Sequence, residues 1–171
     1  LFREASWAVR SEKGHSWNMY PIGVPLLILP LVWTWDKAAG LFGIDLEAAT
    51  LRQYPGFMDL CLASLIMAGA VALLFLYCRR RLSLPRALLL ASLFAFGTPA
   101  YSSASRGLWQ HAPSMFLFFA ALLVYDVLPA GLGSRLALGI IVGYSYSVRP
   151  ANSLLIAGFF VLLLITSRRW L

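Results

Sequence analysis

Apolar residues gather along this chain in long blocks, and polar and basic residues collect between them. Phe57 to Cys78 reads as an uninterrupted apolar run of 22 residues, long enough for a helix to cross a hydrocarbon core of roughly 30 Å. Leu82 to Tyr101 follows, with Pro85 in its first turn, where a missing N–H is tolerated. Ser114 to Leu128, Leu136 to Val148 and Ala151 to Thr166 complete a set of five predicted membrane helices. The third and fourth are joined by the short turn Pro129-Ala-Gly-Leu-Gly-Ser-Arg135. Ile22 to Trp35 is different: it has 14 residues, contains Pro25 and Pro30, and suits an interfacial or re-entrant segment better than a span.

The basic residues set the direction of threading. Arg79, Arg80, Arg81 and Arg86 follow the first run, Arg135 lies in the turn after the third, and Arg168 and Arg169 follow the last. Counting crossings puts all three clusters on one side, which the bias of cytoplasmic loops toward Lys and Arg makes the inner side. The expected fold is therefore all-α, a polytopic membrane helix bundle. Residues 1–56 are expected to form an extracytoplasmic loop region with a re-entrant or interfacial helix, and residues 57–171 five transmembrane helices of a larger membrane domain.

Composition agrees, since 60% hydrophobic residues, 12% charged residues and a mean hydropathy of +0.76 fall outside the range of a soluble domain. A net charge of +7 can indicate nucleic-acid binding, but half of the basic residues sit in the clusters that set topology, so no nucleic-acid partner is expected. Cys61 and Cys78 share one predicted helix about 25 Å apart at 1.5 Å per residue, and cannot pair with each other. The chain opens in a polar stretch without Met or a signal-peptide pattern and ends just after Arg168 and Arg169, so it reads as an internal piece of a longer protein.

Candidate chemistry concentrates at the predicted outer ends of the helices, in Ser102-Ser-Ala-Ser-Arg106, Gln110-His111 and Tyr144-Ser-Tyr-Ser147 with Arg149. Polar groups at that depth need internal partners or water, which a cavity open to the outside supplies. If Ser102 to His111 continues as a helix, Arg106 and Gln110 share a face with Ser103 one turn earlier, and His111 lies about 100° further round. Arg149-Pro-Ala-Asn152 joins two helices almost without a break, so backbone donors at a helix start and a guanidinium point at one spot, an arrangement that suits phosphate. Gly139 and Gly143 read as a close-packing pair for a neighbouring helix. Trp33, Trp35, Tyr101, Trp109 and Tyr144 read as interfacial anchors.

Nucleophile elbows, His and carboxylate groups at metal spacing, Walker-type loops and Cys-x-x-Cys pairs do not occur in the sequence. Three stretches carry a resemblance instead. They are Trp17-Asn-Met-Tyr-Pro-Ile-Gly-Val-Pro-Leu-Leu-Ile-Leu-Pro30, Phe96-Gly-Thr-Pro-Ala-Tyr-Ser-Ser-Ala-Ser-Arg-Gly-Leu-Trp-Gln-His-Ala-Pro113 and Ser147-Val-Arg-Pro-Ala-Asn152. In that order they resemble bacterial integral-membrane glycosyltransferases of the GT-C class, related to the protein O-mannosyltransferases and the lipid A aminoarabinose transferases.

The resemblance implies an enzyme of the bacterial cytoplasmic membrane that takes a sugar from a polyprenyl-phosphate carrier on the extracytoplasmic face and transfers it to an acceptor. It also implies an acidic catalytic base in the first external loop. Asp36, Asp45 and Glu47 lie too late to match that residue, and Glu4 and Glu12 lack its context, so the catalytic residue is left unassigned. A departing phosphate needs cationic stabilisation, for which Arg106 and Arg149 are the candidates. Gln110, His111 and Asn152 are expected near the sugar or phosphate, and Tyr20, Pro21 and Gly23 are expected to shape the loop beside the cleft. No cofactor is called for, and the sequence leaves a divalent metal open. The same basic groups suit a transporter or flippase that binds an anionic lipid-linked substrate without cleaving it, and a purely structural scaffold predicts no role for them.

Overall fold

The structure is a computed structural model that describes residues 9–12, 15–18, 21–45, 56–129 and 131–165. Apart from one short antiparallel pair, β1 (Val9–Glu12) with β2 (His15–Asn18), the described chain is helical. The helices are α1 (Gly23–Leu41), α2 (Phe57–Arg79), α3 (Leu84–Gly97), α4 (His111–Val127), α5 (Leu132–Val148) and α6 (Ser153–Ile165). The all-α fold expected from the apolar blocks is the one observed, and α2 to α6 correspond to the five predicted runs. By length and composition α1 and α2 are able to cross a membrane, while α3, α4 and the stretch Pro150–Ile165 are shorter apolar helices.

Local chemistry explains where each helix starts and stops. Gly56, with φ at 84°, supplies the left-handed turn that admits α2, a conformation glycine adopts without steric cost. Asp59 in the first turn and Arg79 in the last both complement the helix dipole. The run from Phe57 is therefore not uninterrupted, because it carries a carboxylate in its first turn. Ser134 Oγ accepts the Gly131 N–H at 3.1 Å and donates to the Pro129 carbonyl at 2.6 Å, fixing the start of α5.

Helix α4 is central. One side packs on α2 through Ile66, Met67, Ala70 and Phe119; the other packs on α5 and α6 through Ala121, Leu138, Val142 and Phe159. Fully buried alanines at 63, 70, 87, 112 and 121 let the backbones approach closely, the usual device of helices in lipid. At one end of the bundle Asp126 accepts from Arg80 Nε at 2.8 Å and from Arg81 Nη2 at 2.5 Å, so the C-terminal ends of α2 and α4 lie side by side. Arg81 also lies over the Tyr77 ring, and its hydrogen bond to Asp126 is the largest cause raising its pKa above the ordinary arginine value.

Three expectations are corrected here. Of the two alternatives for residues 22–35, the re-entrant one is removed: α1 continues to Leu41 through Pro30, whose carbonyl accepts from Thr34 Oγ1 at 2.7 Å. Pro30 removes one hydrogen bond from the ladder without ending the helix, and it stands with Leu29 and Leu31 on exposed turns. The run predicted to reach Tyr101 stops at Gly97, because Thr98 precedes Pro99 and is driven to an extended conformation with φ −123° and ψ 170°. Gly139 and Gly143 have open space where a Cβ would stand, so no neighbour among the described residues makes the close approach they were expected to serve.

Candidate functional site at the His111 end of the bundle

The condition under which Arg106 and Gln110 would share a face, a helix continuing from Ser102 to His111, is not met. Thr98 Oγ1 donates to the Phe94 carbonyl at 2.6 Å and accepts the Ala100 N–H at 3.2 Å, closing one helix and opening a tight turn. Ala100–Ala104 then forms a π-helical turn, with Ser105 N–H bonded to the Ala100 carbonyl at 2.9 Å. Ser64 Oγ of α2 donates to the Ser105 carbonyl at 2.9 Å and ties the turn to the bundle. Arg106 and Gln110 consequently do not share a helix face. Arg106 leans over the Tyr101 ring at 5.6 Å, and Gln110 becomes the residue that admits α4, its carbonyl accepting from Ser114.

His111, the first residue of α4, faces Arg149, the residue that ends α5, with Nδ1 and Nη1 3.1 Å apart. A guanidinium has only donors, so Nδ1 must accept, and the neutral imidazole then carries its proton on Nε2 as a free donor. Arg149 is extended at φ −153° because Pro150 follows, and Pro150–Asn152 turns the chain straight into α6, as the sequence predicts. Asn152 is buried, and its amide nitrogen donates both to Ser114 Oγ at 3.0 Å and to the Ser145 carbonyl at 2.9 Å. Its amide hydrogens are thus used in stitching the start of α4 to the end of α5, the arrangement that holds Arg149 against His111.

A cavity of about 690 Å³ opens beside this pair, lined on its polar side by Thr98, Ser103, Arg106 and His111 and on its apolar side by Phe94 and Met115. Arg106 and His111 therefore share one chamber. Arg149 is not among the residues lining it, and stands one hydrogen bond behind His111. A second cavity of about 480 Å³ shares Gly107, Trp109 and His111 with the first, and Gln110 lines only this one.

Gly23 meets the same end of the bundle. Its carbonyl accepts from Tyr144 Oη at 2.6 Å, and a Cβ on it would run into the backbone of Ser147 and Val148. Val24 packs with Leu117 and Val148, and Pro21 lines the second cavity. Tyr20, Glu4 and Glu47 lie outside the described residues, and of Glu12 only the strand backbone is described. Asp36 pairs with Lys37 at 3.9 Å, and the described residues contain no group of three or more His, Cys, Asp or Glu placed to hold a metal ion.

No family of known proteins, no curated protein and no solved structure matches the chain.

Sequence reasoning missed two members of this site. Ser114 was read only as the start of an apolar run, and Asp59, which lines the second cavity, was counted inside one. The legible signal was an ionisable residue within a membrane-length apolar block, which is costly unless it has a use.

Proposed function

We propose that this chain is part of a membrane glycosyltransferase of the bacterial cytoplasmic membrane, moving a sugar from a polyprenyl-phosphate carrier to an acceptor on the extracytoplasmic face. The observation that carries the reading is the convergence of Arg106 and His111 on one cavity, with Arg149 bonded behind the imidazole. Breaking the bond between a sugar and a polyprenyl phosphate leaves a dianionic leaving group, and donors preorganised around the departing oxygens lower that barrier. Arg106 supplies a full charge, while the Nε2 proton of His111, polarised by the Arg149 cation behind the ring, supplies a directed hydrogen bond. The motifs at 17–30, 96–113 and 147–152 support the same reading by resemblance. The basic residues at the opposite end, Arg79 to Arg81 at and just beyond the end of α2 and Arg86 in the first turn of α3, support an orientation with this cavity outside.

The test is transfer of label from radiolabelled polyprenyl-phosphate sugars in membranes containing the full-length protein. Transfer is expected, with Arg106→Ala and His111→Ala each slowing it by roughly 100-fold, the scale of losing one oxyanion donor. Passage of the intact donor across the bilayer without cleavage, or no consumption of any donor by folded protein, overturns the reading.

A further inference from the structure

Three of the arginines at the end of the bundle opposite His111 are already engaged: Arg80 and Arg81 grip Asp126, and Arg79 donates to the Leu82 carbonyl at 3.2 Å. Arg135, in the first turn of α5, is exposed, and its guanidinium meets no hydrogen-bond or ion-pair partner among the described residues. From it a groove of about 450 Å³ runs between α5 and α6 as far as Gly143. Arg135, Gly139 and Gly143 recur every fourth position on one face of α5, so the groove is about 12 Å long at 1.5 Å per residue. Its floor is the buried Leu138, Val142 and Phe159, and Gly139 and Gly143 leave open space where a Cβ would stand. Two missing side chains therefore make the groove.

Small residues on a membrane helix ordinarily admit another helix, but size and charge here select a different guest. A helix about 10 Å across occupies roughly 900 Å³ over that length, about twice the groove, whereas a single hydrocarbon chain lies in it whole. A guest helix would also leave the Arg135 cation at the mouth of the groove without an anion. A lipid that carries an acyl chain beneath a phosphate fills the space and answers the charge. We propose that the α5–α6 groove is a site for one anionic glycerophospholipid of the leaflet at the arginine end, its phosphodiester on the Arg135 guanidinium and one acyl chain along Gly139 and Gly143. Arginine has the planar donor fork that matches two phosphate oxygens, and basic pockets between membrane helices on the side of the basic loops are where acidic headgroups bind. The site lies at the other end of the bundle from the Arg106 cavity and uses none of its chemistry, so it stands or falls separately from the glycosyltransferase reading.

The experiment counts the lipids held by the full-length protein in detergent, by native mass spectrometry, after exchange with phosphatidylglycerol or with phosphatidylcholine of the same acyl chains. Wild type is expected to retain one more phosphatidylglycerol than Gly143→Leu, whose added side chain enters open space and so fills the groove while leaving the helices in place. It is expected to hold that lipid roughly five- to tenfold more tightly than phosphatidylcholine, the scale of one arginine beside an acidic headgroup. Arg135→Gln erases the preference. Arg86→Gln, which removes an exposed arginine at the same end but outside the groove, leaves both the count and the preference as in wild type. Equal retention of the two lipids by wild type overturns the site, as does a preference that survives Arg135→Gln or is lost equally in Arg86→Gln. Undiminished retention by Gly143→Leu overturns it too. So does a wild type without bound lipid, and a lowered unfolding midpoint of Gly143→Leu then identifies a helix of the protein as the occupant.

Discussion

At the scale of single residues, two positions decide whether the His111 end of the bundle assembles. Gly23 is one, because the space for its side chain is filled by the backbone of Ser147 and Val148, which cannot rotate away as a side chain can. Gly23→Ala adds roughly a few tenths of a kcal/mol of helix propensity, since Gly23 begins α1, and creates an overpacking strain of about 1–3 kcal/mol, so destabilisation wins. A lower midpoint in thermal unfolding of the detergent-solubilised protein checks this. Asn152 is the other. Asn152→Leu, of similar branched shape, removes both amide donations and is expected to cost about 1–3 kcal/mol, and to weaken donor binding by letting Arg149 move off His111. An unchanged midpoint with unchanged binding would show that the stitch is dispensable. Neither role was legible in the sequence, since Tyr144 lies 121 positions from Gly23 and Ser114 lies 38 from Asn152, and local pattern carries no record of such pairs.

Elements were far more legible than contacts. The five apolar runs became α2 to α6 because in each the block itself is the signal, and prolines at 85, 113 and 150 fall in or beside first turns where they do no harm. What failed was the stretch from Ser102 to His111, where Pro99 resets the chain and a π-helical turn follows that no periodicity announces. The Asp126 fork to Arg80 and Arg81 is the visible tie between the ends of α2 and α4, yet both guanidiniums are about half exposed, at 49% and 53%. Solvent screening limits such pairs to about 0–1 kcal/mol despite their short distances. A double-mutant cycle of Asp126→Asn with Arg80→Ala should therefore give a coupling no larger than about 1 kcal/mol, and a value of several kcal/mol would mean that the fork is dehydrated.

For the whole molecule, the orientation set by the arginine clusters is the expectation with the widest reach. With Cys61 and Cys78 replaced by Ser, Ser103→Cys should react with a membrane-impermeant maleimide in intact cells, and Ser83→Cys only after permeabilisation. The opposite pattern would put the cavity in the cytoplasm and remove its access to an extracytoplasmic acceptor. Helix α1 meets the rest of the bundle through its first turns, at Gly23, Val24 and Ile28, and then runs on with Leu29, Trp33 and Leu41 exposed. The loop that aims Arg106 has a different kind of constraint. A π-helical turn closes its hydrogen bond over one residue more than an α-helical turn does, so deleting any one residue between Pro99 and Ser105 forces the turn to close differently and turns the guanidinium by about 100° around its axis. A one-residue deletion there is therefore expected to take the cation out of the cavity while leaving α3 and α4 in place.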